Sequence, residues 1–346
     1  MSRPRLLVTG AGGFTGRHAV RHFAEAGHHV TAVVRREPPP GGFPSGVETA
    51  VCDLSSRAET KALVEASAPD AVLHLAGRNS VPESWRDPLL YMESNIMSVL
   101  YILDALRGRP SVRVLVAGSR LKFRPELGET PPHPYSLSKT LETQMSLAWG
   151  SLFAQQVLLA EPCNLIGPGP STGFCSLLAR HIAACEAGAA QAPFRLSSRT
   201  AKRDFLDVRD AVQAYADILE RGEALTVYRI DSGCERPLGD IADSLLARTA
   251  ASVPMAWGDG DGRDAAPPVA PPAVHPTAVQ PAEAAASGTG TVIPAAEPSA
   301  VTPAASSPAP SSRSAYREAD VTELGWAPSI PFEVSLNDIL DDCRKA

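Results

Sequence analysis

Tyr135 and Lys139 stand four residues apart in the stretch HPYSLSKTLE, residues 133–142. In a helix that spacing puts both side chains on one face, about one turn apart. A phenol can give or take a proton, but with an ordinary pKa of ~10 it is a poor base at neutral pH. An ammonium one turn away favours the phenolate by its charge. The pair therefore reads as an acid/base with its activator. Taken alone it reads more readily as two surface residues on an amphipathic helix, and the rest of the chain has to decide.

A second group with chemistry lies at the amino end. The run RLLVTG (5–10) passes into TGAGGFTGRH, with Gly10, Gly13 and Gly16 spaced G-x-x-G-x-x-G at a strand-to-helix turn. The first glycine suits a turn that needs positive φ, the second lets backbone approach a pyrophosphate, and the third lets the helix pack closely on the strand. Phe14 and Thr15 open that helix, whose amino end offers free N–H groups and a positive dipole end to phosphate. The pattern points to a dinucleotide; a plain tight turn is the alternative. After the second strand, in VVRREP, stand Arg35 and Arg36. An NAD site usually has an acid there, whereas a guanidinium suits a 2′-phosphate. NADP(H) is therefore favoured, with NAD(H) as the alternative cofactor and a solvated basic turn as the structural one. Asp53 in CDLSS follows the third strand, placed to meet an adenine or to sit at a helix amino end.

The elements that must position these residues alternate. RLLVTG (5–10), HVTAVVR (29–35), AVLHLAG (71–77), VRVLVAGS (112–119) and QQVLLAEPCNLIG (155–167) read as strands. GRHAVRHFAEAG (16–27), RAETKALVEAS (57–67) and LLYMESNIMSVLYILDALRG (89–108) have helical spacing. Nearly all-apolar strands alternating with helices predict a parallel sheet covered on both faces, an α/β fold. Further on, helices are expected over 174–188, 208–223 and 237–249, and a strand over 225–233. The stripe Ala211, Ala214, Tyr215, Ile218 and Leu219 faces inward in the second of those helices. Residues 254–312 are rich in Pro, Ala and Ser, too poor in apolar bulk to offset ordering entropy, and read as a disordered insertion. Residues 319–346 look folded again and end in a helix with Val334, Leu336, Ile339 and Leu340 inward.

The chain has 346 residues and a net charge of −6. That balance gives no electrostatic footprint for nucleic acid. No apolar run reaches the ~18 to 20 residues of a membrane span, and the amino-terminal run meets glycines too early for a secretory signal. Cys52, Cys163, Cys175, Cys185, Cys234 and Cys343 lie far apart with no C-x-x-C. This argues against a metal site or a disulfide framework and fits a reducing cytoplasm.

Taken in order, TGAGGFTG (9–16), DL (53–54), HLAG (74–77), Asn95, YSLSK (135–139), NLIGPG (164–169), RDFLDVRDA (203–211) and ELGWAPSIPFEVSLNDIL (323–340) resemble the extended short-chain dehydrogenase/reductase family. Within it, the later motifs are similar to those of the GDP-4-keto-6-deoxy-mannose reductases and GDP-mannose 4,6-dehydratases. The resemblance implies a doubly wound Rossmann domain over 1–168, with later segments returning to it. A smaller nucleotide-sugar-binding α/β domain from 169–253 and 313–346 would close over it, in a homodimer formed through the helices carrying Tyr135 and Asn95.

It also implies roles. Tyr135 is the acid/base and Lys139 its activator, bonding the nicotinamide ribose. Ser119 holds the substrate oxygen, unless it is a structural hydroxyl at a strand end. Asp53, Leu54, Leu75, Ala76 and Gly77 join the glycine loop and Arg35 around the cofactor. Asn164 and Arg203 take the nucleotide-sugar diphosphate; their alternatives are a turn asparagine and a salt bridge to Asp207 or Asp210. His74 and Cys163 read as packing. Arg263 and Arg317, flanking the insertion, are candidates for nucleotide contact.

One segment departs from the family. SRLKFR (119–124) puts Arg120, Lys122 and Phe123 where relatives carry acidic residues and Tyr-Gly, with no carboxylate until Glu126. That argues against a dehydratase and makes the field of the site more basic. The favoured activity is NADPH-dependent reduction of a nucleotide-linked 4-keto-6-deoxy sugar. A 4-epimerase, a 4,6-dehydratase and a non-catalytic dinucleotide-binding sensor or scaffold stand as alternatives.

Overall fold

The computed structural model of this chain describes residues 3–39, 41–189, 192–258 and 316–345. Nearly all of the expected insertion, and Arg263 with it, lies outside them. Residues 254–258 are described, and Met255–Trp257 form a strand, so ordered chain runs further into the Pro-rich region than its composition suggested.

The elements follow in chain order: β1 (Arg5–Thr9), α1 (Phe14–Glu25), β2 (His29–Val34), β3 (Glu48–Val51), α2 (Arg57–Ser67), β4 (Ala71–His74), α3 (Val81–Arg86), α4 (Pro88–Tyr91), α5 (Ser98–Ala105) and β5 (Arg113–Ala117). Then come α6 (Pro134–Phe153), β6 (Gln156–Pro162), β7 (Asn164–Ile166), α7 (Phe174–Glu186), β8 (Phe194–Leu196), β9 (Lys202–Asp207), α8 (Val208–Arg221), β10 (Thr226–Ile230), β11 (Glu235–Pro237) and α9 (Leu238–Leu246). β12 (Met255–Trp257), β13 (Arg317–Asp320) and α10 (Phe332–Lys345) complete the described chain.

Among the described residues, eight parallel strands form the main sheet in the order β13-β10-β6-β5-β4-β1-β2-β3. Side chains alternate across it, as a period of two requires. Leu6 and Val8 of β1, Leu115 of β5 and Leu158 of β6 face one core with Val20 and Phe23 of α1 and the expected α8 stripe. Leu7, Val114, Val116, Val157 and Leu159 face the other, against α2, α5 and α6. The strand order reverses at β1, between β2 and β4, and a parallel sheet opens a crevice at such a point beyond its carboxyl edge.

A third core joins α7, α9 and α10 to β7, β8 and β9. It carries two small sheets, β11-β9-β7 and β12-β8. The run 155–167 is thus two strands rather than one. Pro162, lacking an N–H, ends β6, and β7 leaves to pair with β9. Likewise 89–108 is not one regular helix: α4 and α5 are joined by a widened i→i+5 stretch, Met92–Met97, around the buried Asn95.

The carboxyl-terminal segment returns to the main sheet as β13, in register with β10. Arg317 opens β13 and pairs with Glu223 and Glu323. It sits at the amino edge of the strands, the end opposite the glycine loop, which removes it as a nucleotide contact. In α10, Leu336, Ile339 and Leu340 point inward as expected, but Val334 is 42% exposed. Its place is taken by Ser335, one position on in the helical phase, whose hydroxyl donates to Asp207. Among the described residues no helix is long and apolar enough to cross a membrane.

Asp210 of α8 holds this return. Its carboxylate accepts bonds from Ser329 N–H, Ser329 Oγ and Ile330 N–H at 2.8–3.1 Å, and its carbonyl accepts the Trp326 indole N–H. Removing the carboxylate strands donors in a buried place, each costing about 1–3 kcal/mol. Asp210→Ala is therefore expected to lower the unfolding free energy by roughly 2–4 kcal/mol in urea titrations, with Asp210→Asn recovering part of the loss.

Candidate functional site

The β1–α1 turn is built on the absence of side chains. Gly10 has φ +65°, and a Cβ there would lie 2.8 Å from the Leu75–Ala76 backbone. A Cβ at Gly16 would collide with the Gly10 carbonyl. Gly13 begins α1 with no side-chain cap, which leaves N–H groups of the first turn for a ligand. These residues fit a dinucleotide pyrophosphate.

Beside the turn, β4 ends in a fixed hydrogen-bond relay. Thr9 Oγ1 accepts the N–H groups of Leu75 and Ala76, both at 3.1 Å, so its own proton goes to His74 Nδ1 at 3.0 Å. His74 then carries its proton on Nε2, towards Ser98 Oγ at 3.4 Å, and Ser98 donates to the Ser94 carbonyl. Burial, with the nearby Lys139 charge, depresses the imidazole to about 3. His74 is a packed, neutral element of the floor, as expected.

Next, Asn95 Oδ1 accepts the Arg78 N–H at 2.7 Å, while its Nδ2 donates to the Arg78 carbonyl and to Ser138 Oγ. Ser138 donates to the Tyr135 carbonyl at 2.8 Å. The loop after β4 and the start of α6 are thereby tied together. Pro134 opens α6, and His133 caps it, its Nδ1 accepting the Ser136 N–H. Tyr135 and Lys139 are both buried. Lys139 Nζ donates to the Ala117 carbonyl at 2.8 Å and forms an ion pair with Glu142.

A cleft of roughly 1110 Å3 collects most of the expected residues. Gly10, Gly13, Phe14, Thr15, Gly16, Leu75, Ala76 and Gly77 line it together with Ser119, Tyr135, Lys139, Asn164 and Arg203. Ser119 Oγ accepts the Leu121 N–H at 3.0 Å, so it is a turn hydroxyl that still has a proton to donate. Asn164 Nδ2 donates to the Asp204 carbonyl at 2.8 Å. Asp207 is engaged by Arg209 and Ser335, and Asp210 by the carboxyl-terminal segment. Cys163 lines the cleft, but burial raises its thiol far above the nucleophilic range.

Arg35, Asp53 and Leu54 are not among the lining residues. Arg35 is exposed just past β2. Asp53 holds Ser55 through Oδ1, which keeps its carboxyl below the usual range. The cap of α2 is Ser56, not Asp53. Leu54 turns into the second core instead of outward, so a cofactor could reach only its backbone.

The departing segment is different from its sequence reading. Arg120 pairs with Asp231 at 2.7 Å and Lys122 with the buried Glu161 at 2.6 Å. Both added cations meet carboxylates from β6 and from the loop after β10, which offset the basic field. These acids are distant in sequence and gave no local signal. Glu142 was within reach of one: a carboxylate three residues after a helical lysine shares its face.

A parallel α/β sheet, a glycine turn at its switch point and a Tyr–Lys pair in the same crevice define the class. The chain belongs to the NAD dependent epimerase/dehydratase family, whose model matches residues 6–230. It is 34% identical to GDP-6-deoxy-D-mannose reductase of Pseudomonas aeruginosa strain PAO1, over 70% of this chain and 79% of that protein. It is 26% identical to UDP-glucose 4-epimerase of Azospirillum brasilense, over 74% and 80%. Among solved structures, RMD from Pseudomonas aeruginosa complexed with NADPH superposes with a TM-score of 0.69 at 26% identity, covering 99% of both chains.

His74 gives this floor a pH signature. Its folded value, about 3, lies below the unfolded 6.5, so its contribution to stability is present above 6.5 and is lost as pH falls towards 3. Urea unfolding across that window is expected to show a slope of up to ~1.4 kcal/mol per pH unit from this group. His74→Asn should lack that component, and an unchanged slope in the variant would count against the assignment.

Proposed function

We propose that this protein is an NADPH-dependent reductase of a nucleotide-linked 4-keto-6-deoxy sugar, with GDP as the nucleotide. The observation that carries the reading is that Ser119, Tyr135 and Lys139 line one cleft with the glycine turn. The similarity to the Pseudomonas aeruginosa reductase and to the NADPH complex supports it. The main sheet is the cofactor half, and the two small sheets with α7, α9 and α10 are the sugar-nucleotide half.

In this reading the glycine turn holds the cofactor pyrophosphate on the amino end of α1, and Arg35 faces the 2′-phosphate. NADPH, when bound, supplies the hydride for the keto carbon. Ser119 donates a hydrogen bond to the keto oxygen and orients it towards Tyr135. Tyr135 gives that oxygen its proton as the alcohol forms. Lys139 stabilises the phenolate left behind. Asn164 and Arg203, which line the same cleft, hold the diphosphate, for which a guanidinium fork is suited. The absence of a carboxylate between Ser119 and Glu126 supports reduction over elimination.

Purified protein is expected to oxidise NADPH when given GDP-4-keto-6-deoxy-mannose. Tyr135→Phe should lose at least ~100-fold in kcat while retaining NADPH affinity, the usual scale for removing a general acid. Tightly held NAD with no NADPH consumption would instead identify an epimerase, and intact cofactor binding without turnover of any keto sugar a sensor. The homodimer that the family resemblance implies would use the outer face of α6, where Met145 and Leu152 are exposed. Light scattering is expected to give twice the 36.4 kDa chain mass, and a monomer at micromolar concentration would end that proposal.

A further inference from the structure

Glu142 follows Tyr135 by seven residues and Lys139 by three, so the three side chains share one stripe of α6. Its side chain is 0% exposed and meets the Lys139 ammonium. Apart from that ion pair, neither carboxylate oxygen has a hydrogen-bond partner. A buried carboxylate served by one contact is a costly choice for packing, where an uncharged side chain of the same size would do better. Burial outweighs the attraction of Lys139 and raises the Glu142 carboxyl above its ordinary range. What the carboxylate adds is a negative charge beside the Lys139 ammonium, two turns along α6 from Tyr135.

Other titratable groups pack near this stripe. His74 of β4, depressed to about 3, is neutral beside Lys139. Tyr91 of α4 meets Tyr135 edge-on at 6.2 Å and is pushed up to about 12, while its partner Glu83 is paired with Arg78. His133 stacks on the Tyr135 ring at 5.9 Å.

Resting on the reductase reading above, we propose that Glu142 is a positioning residue that offsets the charge Lys139 presents to Tyr135 and so keeps Tyr135 a proton donor. The chemistry sets the need. A reductase requires a phenol that can give its proton to a keto oxygen, and an uncompensated ammonium one turn away favours the phenolate, which cannot. With Glu142 ionised, the positive charge that Lys139 presents to Tyr135 is reduced but not abolished, so the ammonium steadies the phenolate after transfer without forming it beforehand. Lys139 remains anchored on the Ala117 carbonyl, two residues before Ser119.

The test is the pH dependence of kcat/KM for NADPH-dependent reduction in Glu142→Gln and Glu142→Met. Seven residues at ~1.5 Å rise put about 10 Å between Glu142 and Tyr135. At an effective dielectric of ~20, loss of one charge at that range is expected to move the alkaline limb of the profile down by about one pH unit. NADPH affinity should stay within a few-fold. A uniform fall in kcat at every pH with the limb unmoved marks a merely structural role and overturns the proposal. If the wild type reduces no keto sugar, the reductase reading fails by itself. The inference is then decided by tyrosinate absorbance, each protein being compared with its own Tyr135→Phe counterpart. An acid shift of the Tyr135 difference signal in Glu142→Gln supports it, and an unshifted or alkaline-shifted signal overturns it.

Discussion

Everything at the site follows from how closely α1 approaches β1. Gly16 lies against the Gly10 carbonyl, and Gly10 lies against the backbone of Leu75 and Ala76, so neither position has room for a Cβ. That crowding locks the first turn of the sheet to the end of β4. From there the constraint is handed on by hydrogen bonds. Thr9 holds Leu75 and Ala76, Asn95 holds Arg78, and Asn95 reaches Ser138, which grips the Tyr135 carbonyl. The phenol is therefore placed by a continuous path that starts at a missing side chain some 120 residues earlier, roughly the span from Gly16 to Tyr135. A site assembled this way has little slack, because buried polar groups that lose a partner are expensive.

The parts of this architecture that could be read from sequence are those with a period or a backbone requirement. The strands of the doubly wound sheet announce themselves as apolar runs, α2 matches its expected bounds, and the α8 stripe faces inward residue for residue. Gly10 and Gly16 are legible because turn geometry dictates them. What escaped was set by tertiary contact. The break at Cys163 depends on β9, to which β7 pairs, and β9 lies 40 residues on. The widened turn at Asn95 brings its amide to Arg78, and Ser335 turns inward in place of Val334, with its hydroxyl on Asp207. Leu54 faces inward because the core beneath the β3–α2 turn had apolar space to fill. Periodicity carries no information on which distant group a polar side chain will meet.

The site residues divide the same way. The cleft residues that sequence reasoning found come from motifs, whereas Glu161 and Asp231, which temper the neighbouring cations, come from elsewhere. Glu142, Glu161 and Asp231 each sit behind a cation that faces or flanks the cleft. A sequence scan finds the cations and reads a basic site. The fold supplies the counter-charges and offsets the local excess of positive charge.

The pairing of Lys122 with Glu161 constrains how this chain can change over generations. Glu161 is almost wholly buried on β6, and losing its partner would leave a stranded charge, a far worse state than either intact pair or apolar replacement. The two positions therefore cannot drift separately. Lineages that exchange the lysine for a neutral residue must pass through, or leap over, an unstable intermediate. The segment after Ser119 is thus tied by charge to the strand beside it.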